Sequence, residues 1–225
     1  MKTRINISLF LLGLGGQIAW AIENQFFNTF LYDRIIPDPK YVSIMVALSA
    51  VTATVTAIIM GAFSDSIGKR KPFLFYGYLA WSVSIWVIPM AEWIKPVIVA
   101  AWVVIILDSV MTFFGSTSYD AVYNAYLTDV TTDANRGKAQ GLLSLATWIA
   151  LLLVYGASGP IVESMGYFFF FGAAGALVLL SGVIGGVVAV EPQRAIVTDS
   201  KSIVKRIRGS LNMQALQQNK NLLYV

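Results

Sequence analysis

Two uncharged apolar runs, residues 42–63 and 73–91, meet at one short loop, Gly61-Ala-Phe-Ser-Asp65-Ser-Ile-Gly68-Lys69-Arg70-Lys71-Pro72. At 1.5 Å per residue, each run is about long enough as a helix to cross ~30 Å of hydrocarbon. Helices of that length with so few residues between them must form a tight hairpin. The cations Lys69, Arg70 and Lys71 are then held together on one side of a bilayer. A soluble alternative fails on composition: 57% of the chain is hydrophobic, 12% is charged, and the mean hydropathy is +0.69. A soluble core of this size needs a charged surface that these residues cannot supply.

Composition also excludes chemistry. The chain has no cysteine and no histidine, which removes disulfides, thiolate metal sites and the commonest general base. No nucleophile–base pair or metal-ligand cluster stands out, so neither an enzyme nor a bound cofactor or metal is expected. The net charge of +4 reads as membrane orientation rather than affinity for nucleic acid.

Six apolar spans are predicted, at about residues 5–31, 42–63, 73–91, 97–127, 141–160 and 167–190. The first is too long for a signal-peptide core and reads as a membrane helix. With the N-terminus cytoplasmic, 13 of the 16 Lys and Arg residues fall inside. Only Arg34, Lys40 and Lys95 fall outside, which predicts a multi-pass protein of the cell membrane with both termini cytoplasmic. Residues 1–190 are thus expected to form an all-α six-helix bundle. Residues 191–225 are expected to be a basic cytoplasmic linker, with an amphipathic surface helix around Ile203, Ile207 and Leu211. Its end, Asn219 to Val225, resembles the threshold of a seventh helix.

An ionisable group deep in a bilayer costs at least ~2.5–3.5 kcal/mol, so such residues mark polar cavities. On the first span Gly13, Gly16, Trp20, Glu23 and Phe27 are spaced to share one face, flanked by Gln17 and Asn24. An aromatic ring one turn from a carboxylate is a common way to hold a sugar, by stacking and hydrogen bonding. On the fourth span Asp108 and Asp120 lie about 18 Å apart along the helix and on different faces, so they are not expected to share one site. The run Gly115-Ser-Thr-Ser118 is a place where that helix can bend or open.

The spacing Gly61-x3-Asp65-x2-Gly68-Lys69-Arg70 resembles the signature loop of the major facilitator superfamily of secondary transporters. The stretch Asp120-Ala-Val-Tyr-Asn-Ala-Tyr-Leu-Thr-Asp129-Val-Thr131, with Asp133 and Arg136, is similar to the end of helix 4 in the glycoside–pentoside–hexuronide symporters. That is the melibiose-carrier family; the sucrose carriers share the Gly68-Lys-Arg-Lys-Pro72-Phe73 variant of the loop. The resemblance implies the N-terminal half of a major facilitator fold, with a missing C-terminal six-helix half as its partner. It implies sugar binding by Asp120, joined by a polar residue of helix 1 near Gln17. With Trp20, Glu23, Tyr119 and Tyr123, these form the expected substrate set.

Two departures from that family bear on coupling. Its sodium-coupled members carry two carboxylates on helix 2, where this chain has Ser49 and Ala53, and they carry an arginine early in helix 5, near Ser144 here. Sodium favours several oxygen ligands, preferably charged, so proton coupling is expected instead, through Glu23, Asp108 or Asp120. The loop itself implies a conformational latch made of Gly61, Asp65, Gly68, Lys69 and Arg70. Lys69 and Arg70 would reach Asp129 and Asp133, and Gly61 would allow close packing. The expected function is therefore proton-coupled symport of a sugar or glycoside by alternating access. A drug/proton antiporter half and a non-transporting membrane scaffold are the alternatives.

Overall fold

The computed structural model describes residues 3–192. The expected linker beyond residue 192, its surface helix and the approach to a seventh helix lie outside the described residues. Within the described residues all regular structure is helical. Five helical runs are long and apolar enough to cross a membrane. They are α1 (Thr3–Ile35), α2 (Pro39–Ile67), α3 (Lys71–Trp93), α4 (Val97–Val130) and a fifth run, Asp133–Val188. That last run is broken at Gly166, whose φ of 81° joins two helices. They are labelled α5 (residues 133–165) and α6 (residues 167–188).

The helices outrun the apolar stretches because their ends are capped by polar residues. Asp38 accepts a hydrogen bond from the Lys40 amide at 2.9 Å, and Pro39 takes the first helical position of α2, where a missing N–H costs nothing. Gly68 ends α2 in the left-handed conformation, φ 68°, and its N–H reaches Ser64 O at 3.1 Å. Thr132 and Asn135 cap each other's backbone at the start of α5.

α1 runs through the middle of the bundle and packs on both α5 and α6. A Cβ on Gly13 would lie 3.6 Å from Ala146 Cβ, and one on Gly15 would lie 2.2 Å from Ser181 Oγ. In a straight helix residues 146 and 181 would be roughly 50 Å apart. They meet neighbouring residues of α1, so the chain doubles back at Gly166. Polar contacts at the two ends agree. Tyr167 Oη donates to Asp33 Oδ2 at 3.2 Å at one end, where Arg34 also pairs with Glu92. At the other end Lys71 Nζ donates to Val187 O at 2.8 Å, and the Val190 amide donates to Tyr126 Oη at 3.2 Å.

Small residues set how closely these helices approach, as is usual where lipid supplies no hydrophobic drive. A Cβ on Gly16 would lie 2.2 Å from the Tyr119 ring. Gly16→Ala is therefore expected to cost ~1–3 kcal/mol, the usual range for overpacking. Gly172→Ala, with open space around its Cβ position, is expected to change little. Thermal melting of the two purified variants checks this; equal melting temperatures would contradict it. Gly61 differs from the sequence expectation. A Cβ there would lie 4.0 Å from Ala121 Cβ, an ordinary contact distance. Gly61 faces Ala121 of α4 with room for a methyl group, so the approach of these two helices does not require a glycine there.

Candidate functional site

α1 and α4 each depart from α-helical geometry where their polar residues cluster. Residues Ile22–Phe27 and Leu31–Ile35 of α1, and Ser116–Tyr123 of α4, form wider π-helical turns. Such turns re-aim side chains and recur at functional sites. One consequence is that Phe27 does not continue the face of Trp20 and Glu23: it packs edge-on against Phe171 of α6, with ring centroids 5.2 Å apart.

Between α1, α2 and α4 lies a small open cleft of about 190 Å³, below the usual volume of a complete small-molecule site. α1 contributes Trp20, Glu23, Asn24 and Asn28; α2 contributes Ser49 and an apolar wall of Met45, Val46, Ala50 and Ala53; α4 contributes Asp108. No Lys or Arg lines it. Glu23 is 9% exposed and Asp108 2%, so both acids are drawn out of water. The Ser49 hydroxyl donates to Asp108 Oδ2. Thr112 Oγ1 lies 2.9 Å from Glu23 Oε1 and 3.3 Å from Ser49 Oγ. Glu23 Oε2 and Asp108 Oδ1 are buried without a hydrogen-bond partner, a costly state for an acceptor unless something binds there.

The remaining expected substrate residues stand behind this cleft rather than in its lining. Asp120 is half-buried, accepts from Ser116 Oγ at 2.8 Å, and interacts with the Trp20 side chain. Gln17 Nε2 donates to Tyr119 Oη at 2.7 Å. Tyr119 stacks on Tyr123 with centroids 4.9 Å apart, and Tyr123 Oη donates to Leu9 O at 2.8 Å. The Gln17–Tyr119 and Tyr123–Leu9 bonds fix α4 against α1, and Asp120 holds the Trp20 ring, whose edge-to-face partner Trp81 is fully buried. Asp108 lines the cleft and Asp120 does not, yet both lie close enough to Glu23 to act on its charge. Ser144 is exposed.

Sequence reasoning did not single out Thr112 or Asn28. Thr112 follows Asp108 by one helical turn, a spacing that puts both on one face and was available as a signal. Asn28 follows Asn24 by four residues and offered the same signal; its amide donates to Asn24 O at 2.9 Å.

At the opposite end the signature loop forms a compact charge cluster. Arg70 is 1% exposed. Its guanidinium donates to Asp129 Oδ2 at 3.0 Å, to Asp65 Oδ1 and to Ser64 Oγ. Lys69 is exposed, and Asp133 pairs with Arg136 at 3.1 Å instead of with the loop. Glu191 was read only as linker. Its carboxylate accepts from the amides of Arg70 at 2.5 Å and Lys71 at 3.0 Å. A carboxylate there satisfies amides that have no partner within helix α3 and faces the positive end of its dipole.

Residues 5–220 match the family described as Major Facilitator Superfamily. No curated protein matches the chain.

Proposed function

The chain belongs to the Major Facilitator Superfamily, a family of membrane transporters, and we propose that it forms the N-terminal half of a secondary carrier for a sugar or glycoside. The carrier works as a proton symporter by alternating access. One observation carries the substrate class: an indole, two asparagine amides and two carboxylates with free oxygens converge on one open cleft. Polyhydroxyl ligands need hydrogen-bond acceptors and donors around an aromatic platform. Trp20, Glu23, Asn24, Asn28 and Asp108 contact the ligand, while Gln17, Tyr119, Asp120 and Tyr123 brace the platform from behind.

The six-span reading is supported by the reversal at Gly166 and by the polar contacts that gather at opposite ends of the bundle. α2 is the least buried of the helical runs, and Val51, Val55 and Ile59 form an exposed apolar row along it. That row suits a facing six-helix half, with the cleft between the two. The orientation, with both termini cytoplasmic, is testable in a chain with no native cysteine. Single cysteines at Lys40, Lys95 and Ser164, all exposed, are expected to react with an impermeant thiol reagent outside intact cells. Cysteines at Lys69 and Lys138 are expected to be protected, and the opposite pattern would invert the topology.

A second reading, export of an organic cation in exchange for protons, draws on the absence of any Lys or Arg from the lining and on the apolar wall of α2. Uptake of a panel of radiolabelled glycosides by the full-length gene product, with and without a proton gradient, separates the two. Gradient-driven sugar accumulation is expected. Gradient-driven efflux of organic cations, without sugar uptake, would favour the second reading, and neither activity would reject both.

A further inference from the structure

We propose that Glu23 and Asp108, bridged by Thr112 and Ser49, form a site for one proton, carried on Glu23. The inference rests on the reading of this cleft as a carrier's ligand site and names the groups that would couple it. It starts from a count of hydrogens. Each hydroxyl has one hydrogen to donate. That of Ser49 is directed at Asp108 Oδ2. That of Thr112 faces three oxygens: Asp108 O at 2.9 Å, Glu23 Oε1 at 2.9 Å and Ser49 Oγ at 3.3 Å. One hydrogen can serve both 2.9 Å contacts only as a shared, three-centre bond, weaker at each acceptor than a bond of its own.

One added proton resolves the conflict. With Glu23 Oε1 protonated, Glu23 donates to Thr112, Thr112 donates to Asp108 O, and Ser49 donates to Asp108 Oδ2. Every short contact then has its own hydrogen, and Asp108 stays ionised as acceptor. The unpartnered oxygens, Glu23 Oε2 and Asp108 Oδ1, are buried atoms of two cleft-lining side chains that are each at least nine-tenths buried. The proton comes from water in the cleft and returns to water when the cleft opens on the other side. No other bond changes.

Among the described residues the surroundings offer no rival counter-charge. Asp108 and Asp120 of α4 are the charged groups that act on Glu23. α2 carries no charge between residues 42 and 63, α3 none between residues 72 and 91, and α6 none between residues 167 and 188. The charged residues of α5 lie near its two ends, at Asp133, Arg136, Lys138 and Glu163. Tyr78 of α3, which packs on Trp81, donates its hydroxyl hydrogen to Leu12 O at 2.5 Å.

Infrared spectroscopy of the purified chain in lipid nanodiscs tests this without requiring transport. One deuterium-sensitive carboxylic-acid C=O band is expected in the wild type. It should vanish in Glu23→Gln, persist in Asp120→Asn, and shift in Thr112→Val, which removes the acceptor of the Glu23 proton. Persistence of the band in Glu23→Gln, or its loss in Asp120→Asn, would overturn the assignment. Loss of the wild-type band on adding sodium at constant pH would also overturn it, by identifying a sodium site. Melting curves confirm that each variant is folded. If the bands behave as expected while the full-length carrier moves no sugar, the proton site stands and the substrate reading fails.

Discussion

Replacing Arg70 with alanine is expected to lower the stability of the folded chain by ~3–5 kcal/mol, the range for removing one partner from a buried ion pair. The guanidinium is almost wholly enclosed and has hydrogen bonds to Asp65, Asp129 and Ser64. Alanine withdraws that cation from beside two carboxylates, one of them with a side chain only 7% exposed. Lysine would not restore the network: a single ammonium cannot reproduce the planar fork that reaches three partners at once. Lys69→Ala, one residue away but exposed, should stay within about 0.5 kcal/mol of wild type. Chemical or thermal unfolding of the purified variants measures both. Matching losses at Lys69 and Arg70 would mean that only net charge matters, and an unchanged Arg70→Ala would remove the cluster as a structural element.

The cluster connects sequence to possible motion. Arg70 links the end of α2 to the end of α4, and Glu191 ties the exit of α6 to the start of α3. Four helix ends therefore meet at one turn, so a rigid-body rearrangement at this end must break or carry the whole set. The loop motif revealed the participation of Asp65 and Arg70, since spacing alone puts them in one tight turn. It did not reveal that Lys69 would stay outside, that Asp133 would pair locally with Arg136, or that Glu191 would join. Each of those depends on which helix ends lie side by side, which the local pattern does not encode.

The same division runs through the cleft. Trp20 and Glu23 were legible from helical spacing on α1, whereas rise and rotation along α4 did not register that Asp108 and Asp120 both lie close enough to act on Glu23. The wider turns at Ile22–Phe27 and Ser116–Tyr123 break that periodicity. Phe27 packs on Phe171 of α6 instead of joining Trp20 and Glu23 at the lining. Tyr119 and Tyr123, read as part of the substrate set with Asp120, are buried against α1 by the close approach that Gly13 and Gly16 allow. The span at residues 141–160 was visible as apolar sequence. Its extension back to Asp133 depended on the Thr132–Asn135 cap, which hydropathy does not register.

The two aspartates of α4 give the sharpest functional test. In the complete carrier, Asp108→Asn is expected to weaken sugar binding by ~10²-fold or more, because two charge-assisted hydrogen bonds of ~1.5–3 kcal/mol each are degraded. Asp108 lines the cleft with one buried oxygen free to accept; the amide keeps the shape, loses the charge and turns one acceptor into a donor. Asp120 lies behind Trp20 and already accepts from Ser116. Asp120→Asn changes one bond to the platform, worth about 1 kcal/mol, and should cost less than about tenfold. The resemblance to the melibiose carriers points the other way, with Asp120 on the sugar. Equilibrium binding of one radiolabelled glycoside to both variants decides between them. A large loss in Asp120→Asn with near-normal affinity in Asp108→Asn would mean that the ligand sits on the far side of Trp20, against the Tyr119–Tyr123 stack, and that the cleft between α1 and α2 serves only the coupling proton.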